Sequence, residues 1–242
     1  METVIELKDV TKNFTGKAVL SHLDLKVVQG EKVVILGRSG EGKSVTLKCI
    51  AGLLSQDAGS VKVFDQEINT LDEDALKELR HKLGYLFQGA ALYDSMTVRE
   101  NLEFPLRRVS GIKDKQELNK RCMKILEEVG LSETIEKMPS ELSGGMRKRL
   151  ALARTLIVHP EIILYDEPTT GLDSITSREI SELILKTQNQ YQSTSLIITH
   201  DLQCAEMIAD RVLVMKDGHY IAGGSFEEIR NSTDEFVKSF FN

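Results

Sequence analysis

The sequence predicts an α/β fold: a mixed sheet with helices on its faces, an antiparallel β portion at the N-terminus and an inserted helical segment. Three observations carry that reading. Early in the chain, apolar and polar positions alternate, as in half-buried antiparallel strands. Short apolar runs then alternate with helical patterns, the order that builds a parallel sheet. Between the first such run and its helix lies a glycine-rich stretch of fixed spacing, Gly37-Arg38-Ser39-Gly40-Glu41-Gly42-Lys43-Ser44.

That stretch matches the phosphate-loop pattern of Gly, four free positions and Gly-Lys-Ser. Lys32–Leu36 reads as the buried strand running into it and Val45–Ala51 as the helix leaving it, so the core is expected to be that of a P-loop NTPase. Glycines let backbone N–H groups curl around an anion, and the helix N-terminus adds its dipole. Gly37, Ser39, Gly40, Gly42 and Val45 are assigned to this cradle. Lys43 is expected to reach the β- and γ-phosphates, and Ser44 to bind Mg²⁺. Glu41 is costly beside phosphates unless its side chain points to solvent.

In chain order, Thr3–Val10 and Val19–Val28 are the two alternating strands. Phe14, on a turn between them, is placed either to stack on a nucleotide base or to cover the sheet edge. Val61–Phe64 is a further strand, and Asp72–His81 a charged helix with a solvated face. Leu83–Phe87 is a short strand ending at Gln88. From Gly89 to about Ile157 the pattern is helical. Thr97 and Glu100 form a capping-box pair, Lys113–Val129 is amphipathic and stops at Gly130, and Ser143 caps a helix that His159-Pro160 ends. We therefore expect one domain over 1–242, with a core of about 1–88 and 158–242 and a helical subdomain over about 89–157. Ile162–Tyr165 then delivers Asp166 and Glu167, and Leu196–Thr199 delivers His200. Val212–Met215 leads through an Asp217-Gly218 turn to Tyr220-Ile221.

Sites in parallel sheets form at the carboxyl ends of strands. Gln88, Asp166, Glu167 and His200 all occupy such ends, and the phosphate loop leaves another, so they are expected to converge on one bound nucleotide. Asp166 suits Mg²⁺ coordination. Glu167 is placed as general base on an attacking water. His200 is expected to contact the γ-phosphate.

Leu142-Ser143-Gly144-Gly145-Met146 resembles the signature motif of ATP-binding cassette (ABC) ATPases. Asp166-Glu167-Pro168 follows it, and Gly171-Leu172-Asp173 resembles that family's D-loop. Gln88 matches the Q-loop position, His200 the switch histidine and Phe14 the aromatic A-loop. The resemblance spans the whole chain in the family's order. It implies ATP and Mg²⁺ as cofactors, with Gln88 joining Ser44 and Asp166 at the metal. It also implies a head-to-tail homodimer in which Ser143, Gly144, Gly145 and Asp173 serve the partner's nucleotide. Met146 stands where many relatives carry glutamine, and Tyr165 replaces an aliphatic residue. ATP is expected rather than GTP, because Phe14 can stack on adenine and no Asn-Lys-x-Asp motif is present.

Within that family, Gly37–Gly40 with Ser44–Lys48, and Phe87–Val98 with Leu142–Arg149, resemble the ATPases of Mce-type lipid transporters, the MlaF/Mkl group. This implies phospholipid transport between bacterial membranes with an integral membrane permease and an Mce-domain lipid-binding protein, from the cytoplasmic face of the inner membrane. Leu92, Tyr93, Met96 and Phe104 are candidates to receive the permease's coupling helix or to pack the helical segment. Phe236, Phe240 and Phe241 share roughly one helical face and dock on the core or on a partner. The alternative is a non-transport ABC ATPase of the cell-division, iron–sulfur assembly or DNA-repair type; the cassette motifs do not choose cargo. A P-loop kinase or GTPase is disfavoured by the signature motif and the Asp166-Glu167/His200 set.

Composition bounds the rest. The 242 residues carry a net charge of −6, which argues against a nucleic-acid partner held mainly by charge. At 41% hydrophobic the chain can build a core. Cys49, Cys122 and Cys204 have no metal spacing and are expected in the core of a protein from a reducing compartment. No apolar run approaches the roughly 20 residues of a membrane span, and the N-terminus lacks a signal-peptide pattern.

Overall fold

The computed structural model describes residues 2–241; Met1 and Asn242 lie outside the described residues. The alternating N-terminal residues form β1 (Thr3–Phe14) and β2 (Lys17–Val28), an antiparallel pair. Both run longer than the alternation alone indicates, and Phe14 is the last residue of β1 rather than part of a turn. β4 (Ala58–Val63) and β5 (Gln66–Glu67) complete a four-stranded antiparallel sheet, β2-β1-β4-β5.

The apolar runs build a second sheet. It comprises β3 (Lys32–Leu36), β6 (Leu83–Leu86), β7 (Ile162–Asp166), β8 (Thr194–Thr199), β9 (Arg211–Lys216) and β10 (His219–Gly224), in the order β10-β9-β3-β8-β7-β6. All pairs are parallel except β9 with β10, so the sheet is mixed, as expected. The helices are α1 (Lys43–Ile50), α2 (Glu73–His81), α3 (Val98–Arg108), α4 (Lys115–Glu128), α5 (Gly144–Leu156), α6 (Ser174–Tyr191), α7 (Leu202–Ile208), α8 (Phe226–Arg230) and α9 (Glu235–Lys238).

Strand side chains alternate between faces, and that period divides the core in two. Val33, Ile35, Ile162 and Leu164 face the antiparallel sheet and α1, with Ile5, Leu7, Leu23 and Leu47. Val34, Leu36, Ile163 and Tyr165 face the helical layer, with Leu102, Leu118, Leu126, Leu150 and Ile184. The central sheet is thus covered on both faces, and its carboxyl-terminal strand ends emerge along one edge.

Two expectations are sharpened. Phe236 lies within the short α9, but Phe240 and Phe241 fall beyond it; all three pack half-buried on the chain's own helical-side core. Phe236 and Phe240 meet edge to face, as do Phe226 and Phe241. Leu92 packs on that core as well, whereas Tyr93 stays 42% exposed beside Phe104, ring centroids 5.1 Å apart.

Candidate functional site

Eight helices, α2 to α9, begin at an Asp, Ser or Thr whose side chain accepts a hydrogen bond from a first-turn N–H. This is the ordinary satisfaction of helix-end donors. α1 differs: its N-cap is Gly42, with φ 104°, and no side chain caps it. Its first N–H groups are left for an anion. Gly42 is required there on two counts. Its φ lies in the left-handed region, and a Cβ would meet the Val19 carbonyl at 2.5 Å and Leu20 Cδ2 at 2.8 Å.

The loop opens into a cleft of about 350 Å³ lined by Ser39, Gly40, Gly42, Lys43, Ser44 and Val45 together with Phe14, Val19, Gln88 and Glu167. Gly37 lies behind the cradle, where its carbonyl accepts from Lys43 Nζ at 2.7 Å. The Arg38 carbonyl accepts from the same ammonium at 3.0 Å. Burial lowers the Lys43 pKa, opposed by Glu167, Glu41 and Asp166. The uncapped N-terminus and the buried ammonium together fit a polyphosphate. The half-buried Glu41 is not among the residues that line the cleft; on the exposed side its carboxylate accepts from the backbone N–H of Asp217 in the β9–β10 turn.

β7 delivers the acids. Asp166 is 6% exposed, and its Oδ1 accepts from the Ser44 hydroxyl at 2.9 Å. A hydroxyl beside a carboxylate is a hard oxygen pair of the kind Mg²⁺ takes. Glu167 follows with φ 51°, a conformation rare for a residue with a side chain. Its Oε2 lies 2.8 Å from His200 Nδ1 and accepts from Thr170 Oγ1 at 3.1 Å; its Oε1 lies 3.9 Å from Lys43 Nζ. Gln88 is exposed on the cleft wall, and its carbonyl accepts from Lys148 Nζ at 2.5 Å.

Ser143, Gly144, Gly145 and Asp173 gather elsewhere. They line a second cleft, of about 680 Å³, with Met146, Arg149, Leu172 and Thr176. It shares no lining residue with the first. Ser143 Oγ accepts from Met146 N at 3.2 Å, and Asp173 caps α6 by accepting from the N–H groups of Ile175 and Thr176, both at 3.0 Å. Those bonds and the Thr176 hydroxyl hold the Asp173 carboxyl below its usual range. A chain therefore brings the phosphate loop, Gln88, Asp166, Glu167 and His200 together, and leaves the Ser143 group facing outward at a separate site.

Sequence reasoning passed over three contributors. Val19 lines the first cleft. Lys148, 8% exposed, joins Gln88 to the Glu167 carbonyl, 3.4 Å away; burial lowers its pKa, opposed by Glu167 and Asp166. It lies in the run Arg147-Lys148-Arg149, which looks like a solvated face. Tyr85 donates to Asp166 Oδ2 at 3.1 Å. Its signal lay in the β6–β7 register, which pairs Tyr85 with Leu164, two residues before Asp166.

Comparison with known proteins shows what the chain is similar to. The family model described as ABC transporter matches residues 20–170. The methionine import ATP-binding protein MetN 4 of Oceanobacillus iheyensis is 38% identical over 248 residues, covering 99% of this chain and 71% of that protein. The probable ribonucleotide transport ATP-binding protein mkl of Mycobacterium leprae is 38% identical over 242 residues, covering 100% of this chain and 70% of that protein. Among solved structures, a dimeric ATP-binding cassette in a post-hydrolysis state with ADP and Pi superposes with a TM-score of 0.85. It is 34% identical, with 92% of this chain and 98% of that one covered.

Proposed function

The chain belongs to the ABC transporter family as an ATP-binding, ATP-hydrolysing cassette that uses Mg²⁺, and from that premise we propose how its residues divide the work and what it drives. The observation that carries the proposal is the separation of the two clefts: the phosphate loop with Glu167 on one, and an outward-facing helix N-terminus with Ser143 on the other.

In the first cleft, the α1 N-terminus and Lys43 bind the phosphates, and Ser44, Asp166 and Gln88 are the residues that would hold Mg²⁺. Held there, Mg²⁺ would neutralise phosphate charge. Glu167 takes the proton of the attacking water, and His200 keeps the Glu167 carboxylate oriented through the 2.8 Å contact; His200 is also the residue that would reach the γ-phosphate. Phe14 stacks on the base. Ser143 and Gly145 contribute to the nucleotide of a second copy, so the working unit is a head-to-tail homodimer. We also propose that residues 89–157 act as a helical subdomain.

The cassette serves an integral membrane permease at the membrane surface; no described helix is long and apolar enough to cross a membrane itself. For cargo we propose phospholipid moved between bacterial membranes with an Mce-domain partner, on the likeness of the phosphate-loop and Phe87–Val98 runs. A second reading, a small polar cargo, is favoured by the relatives named for methionine import and ribonucleotide transport. The test is a mild-detergent pull-down of tagged Glu167→Gln protein, with co-purifying chains identified by mass spectrometry. A permease with an Mce-domain protein and phospholipid supports the lipid reading. A permease with another binding protein keeps the transport role and sinks the lipid cargo, and only soluble partners would favour a non-transport role.

A further inference from the structure

Both carboxylate oxygens of Asp166 are engaged. Ser44 donates to Oδ1 at 2.9 Å, and Tyr85 donates to Oδ2 at 3.1 Å from the neighbouring strand β6. The Tyr85 phenol donates as a neutral hydroxyl. A neutral donor suits this place. It fixes the plane of the carboxylate without adding a cation that would repel a metal ion.

The ring of Tyr85 belongs to a different place. It stacks on Phe87, centroids 4.2 Å apart and planes 29° apart. Both rings line an open groove of about 370 Å³ whose other walls include Tyr93, Phe104 and Arg154. Phe87 directly precedes Gln88 of the phosphate cleft. One side chain therefore spans from the groove to the carboxylate.

We propose that Tyr85 is a positioning residue for the Mg²⁺ site, holding Asp166 so that Oδ1 faces Ser44, and that its ring conveys displacement of the groove wall to that carboxylate. This rests on Asp166 being the acid at the metal. Mg²⁺ demands near-ideal octahedral geometry, so a carboxylate free to turn holds it less well.

The test is Tyr85→Phe, which keeps the ring, its stack and the groove wall and removes only the hydroxyl. Mn²⁺ is titrated into the ATP-loaded chain and free Mn²⁺ is followed by electron paramagnetic resonance, beside the Mg²⁺ dependence of phosphate release. Half-saturation by metal is expected to rise about tenfold, the scale of one hydrogen bond to a charged group. ATP affinity in EDTA is expected to stay within about twofold, since no phosphate contact is lost. Phe87→Leu, which removes the stack and keeps the hydroxyl, is expected to raise the metal half-saturation about two- to tenfold, roughly the weight of one aromatic pair; no shift there sinks the relay from the groove wall. Tyr191→Phe deletes a hydroxyl that donates to Glu128 at 2.6 Å, away from both clefts, and is expected to titrate like the parent. The inference is overturned if Tyr85→Phe also titrates like the parent, or if Tyr191→Phe shifts as far. Asp166→Asn separates the premises: unchanged metal binding there sinks the role of Asp166, whereas loss there with a silent Tyr85→Phe sinks only the role of Tyr85.

Discussion

Glu167 sits at the end of a fully buried strand, in a left-handed backbone conformation, with Lys43, His200 and Thr170 around its carboxylate. Such conformations cost about 1–3 kcal/mol and persist where the surroundings fix them. Here the strain turns the carboxylate toward the phosphate loop. Glu167→Gln keeps the shape and removes the proton acceptor, so steady-state phosphate release should fall by about 10²–10⁴-fold. ATP binding, read by equilibrium dialysis, should survive; a variant turning over normally would refute the base assignment. Gly42→Ala tests the cradle. The added methyl runs into the Val19 carbonyl, so nucleotide binding should be lost while the far-UV spectrum stays native. Retained ATP affinity in that variant would contradict the assigned cradle.

At the scale of elements, the contrast between α1 and the other helices is the informative feature. Asp173→Ala removes the side chain that accepts from the first N–H groups of α6. In a chain of this size that lowers Tm by about 2–4 °C, which differential scanning calorimetry resolves; an unchanged Tm would argue that the cap carries no weight. Much of this level was legible in the sequence. Thr97 with Glu100, and Ser143 ahead of its glycines, are caps that announce α3 and α5. α6 was not legible. Its buried face mixes Ile180 and Ile184 with Ser181, Thr187 and Gln188, so apolar periodicity is blurred. Gln188 is buried because its amide donates to Ser195 Oγ of β8 at 2.5 Å, a partner only the folded sheet supplies. Tyr85 is hidden for a similar reason: which strand neighbours β6 is not written in β6.

Over the whole molecule, the two apolar layers on either face of the central sheet leave its carboxyl-terminal edge as the place for chemistry, and the strand-end motifs pointed there from sequence alone. Burial pushes the thiols of Cys49 and Cys122 up to about 11 and that of Cys204 up to about 12. At pH 8 each is protonated in the folded state and closed to reagents. Iodoacetamide should therefore modify the native chain only as fast as it unfolds, and all three thiols promptly in denaturant; rapid native labelling of any of them would contradict the packing.

The central claim is that one chain holds half of each working site. The most direct measurement is ATP hydrolysis by mixtures of two inactive variants, Lys43→Ala and Ser143→Arg. Each alone spoils both composite sites of a homodimer. A mixed dimer regains one intact site, built from Lys43 of one copy and Ser143 of the other. Activity should therefore appear on mixing and peak near equal amounts. If Ser143→Arg hydrolyses ATP by itself at the normal rate, or if mixing restores nothing while both variants bind each other, the two clefts do not complete one another across a dimer.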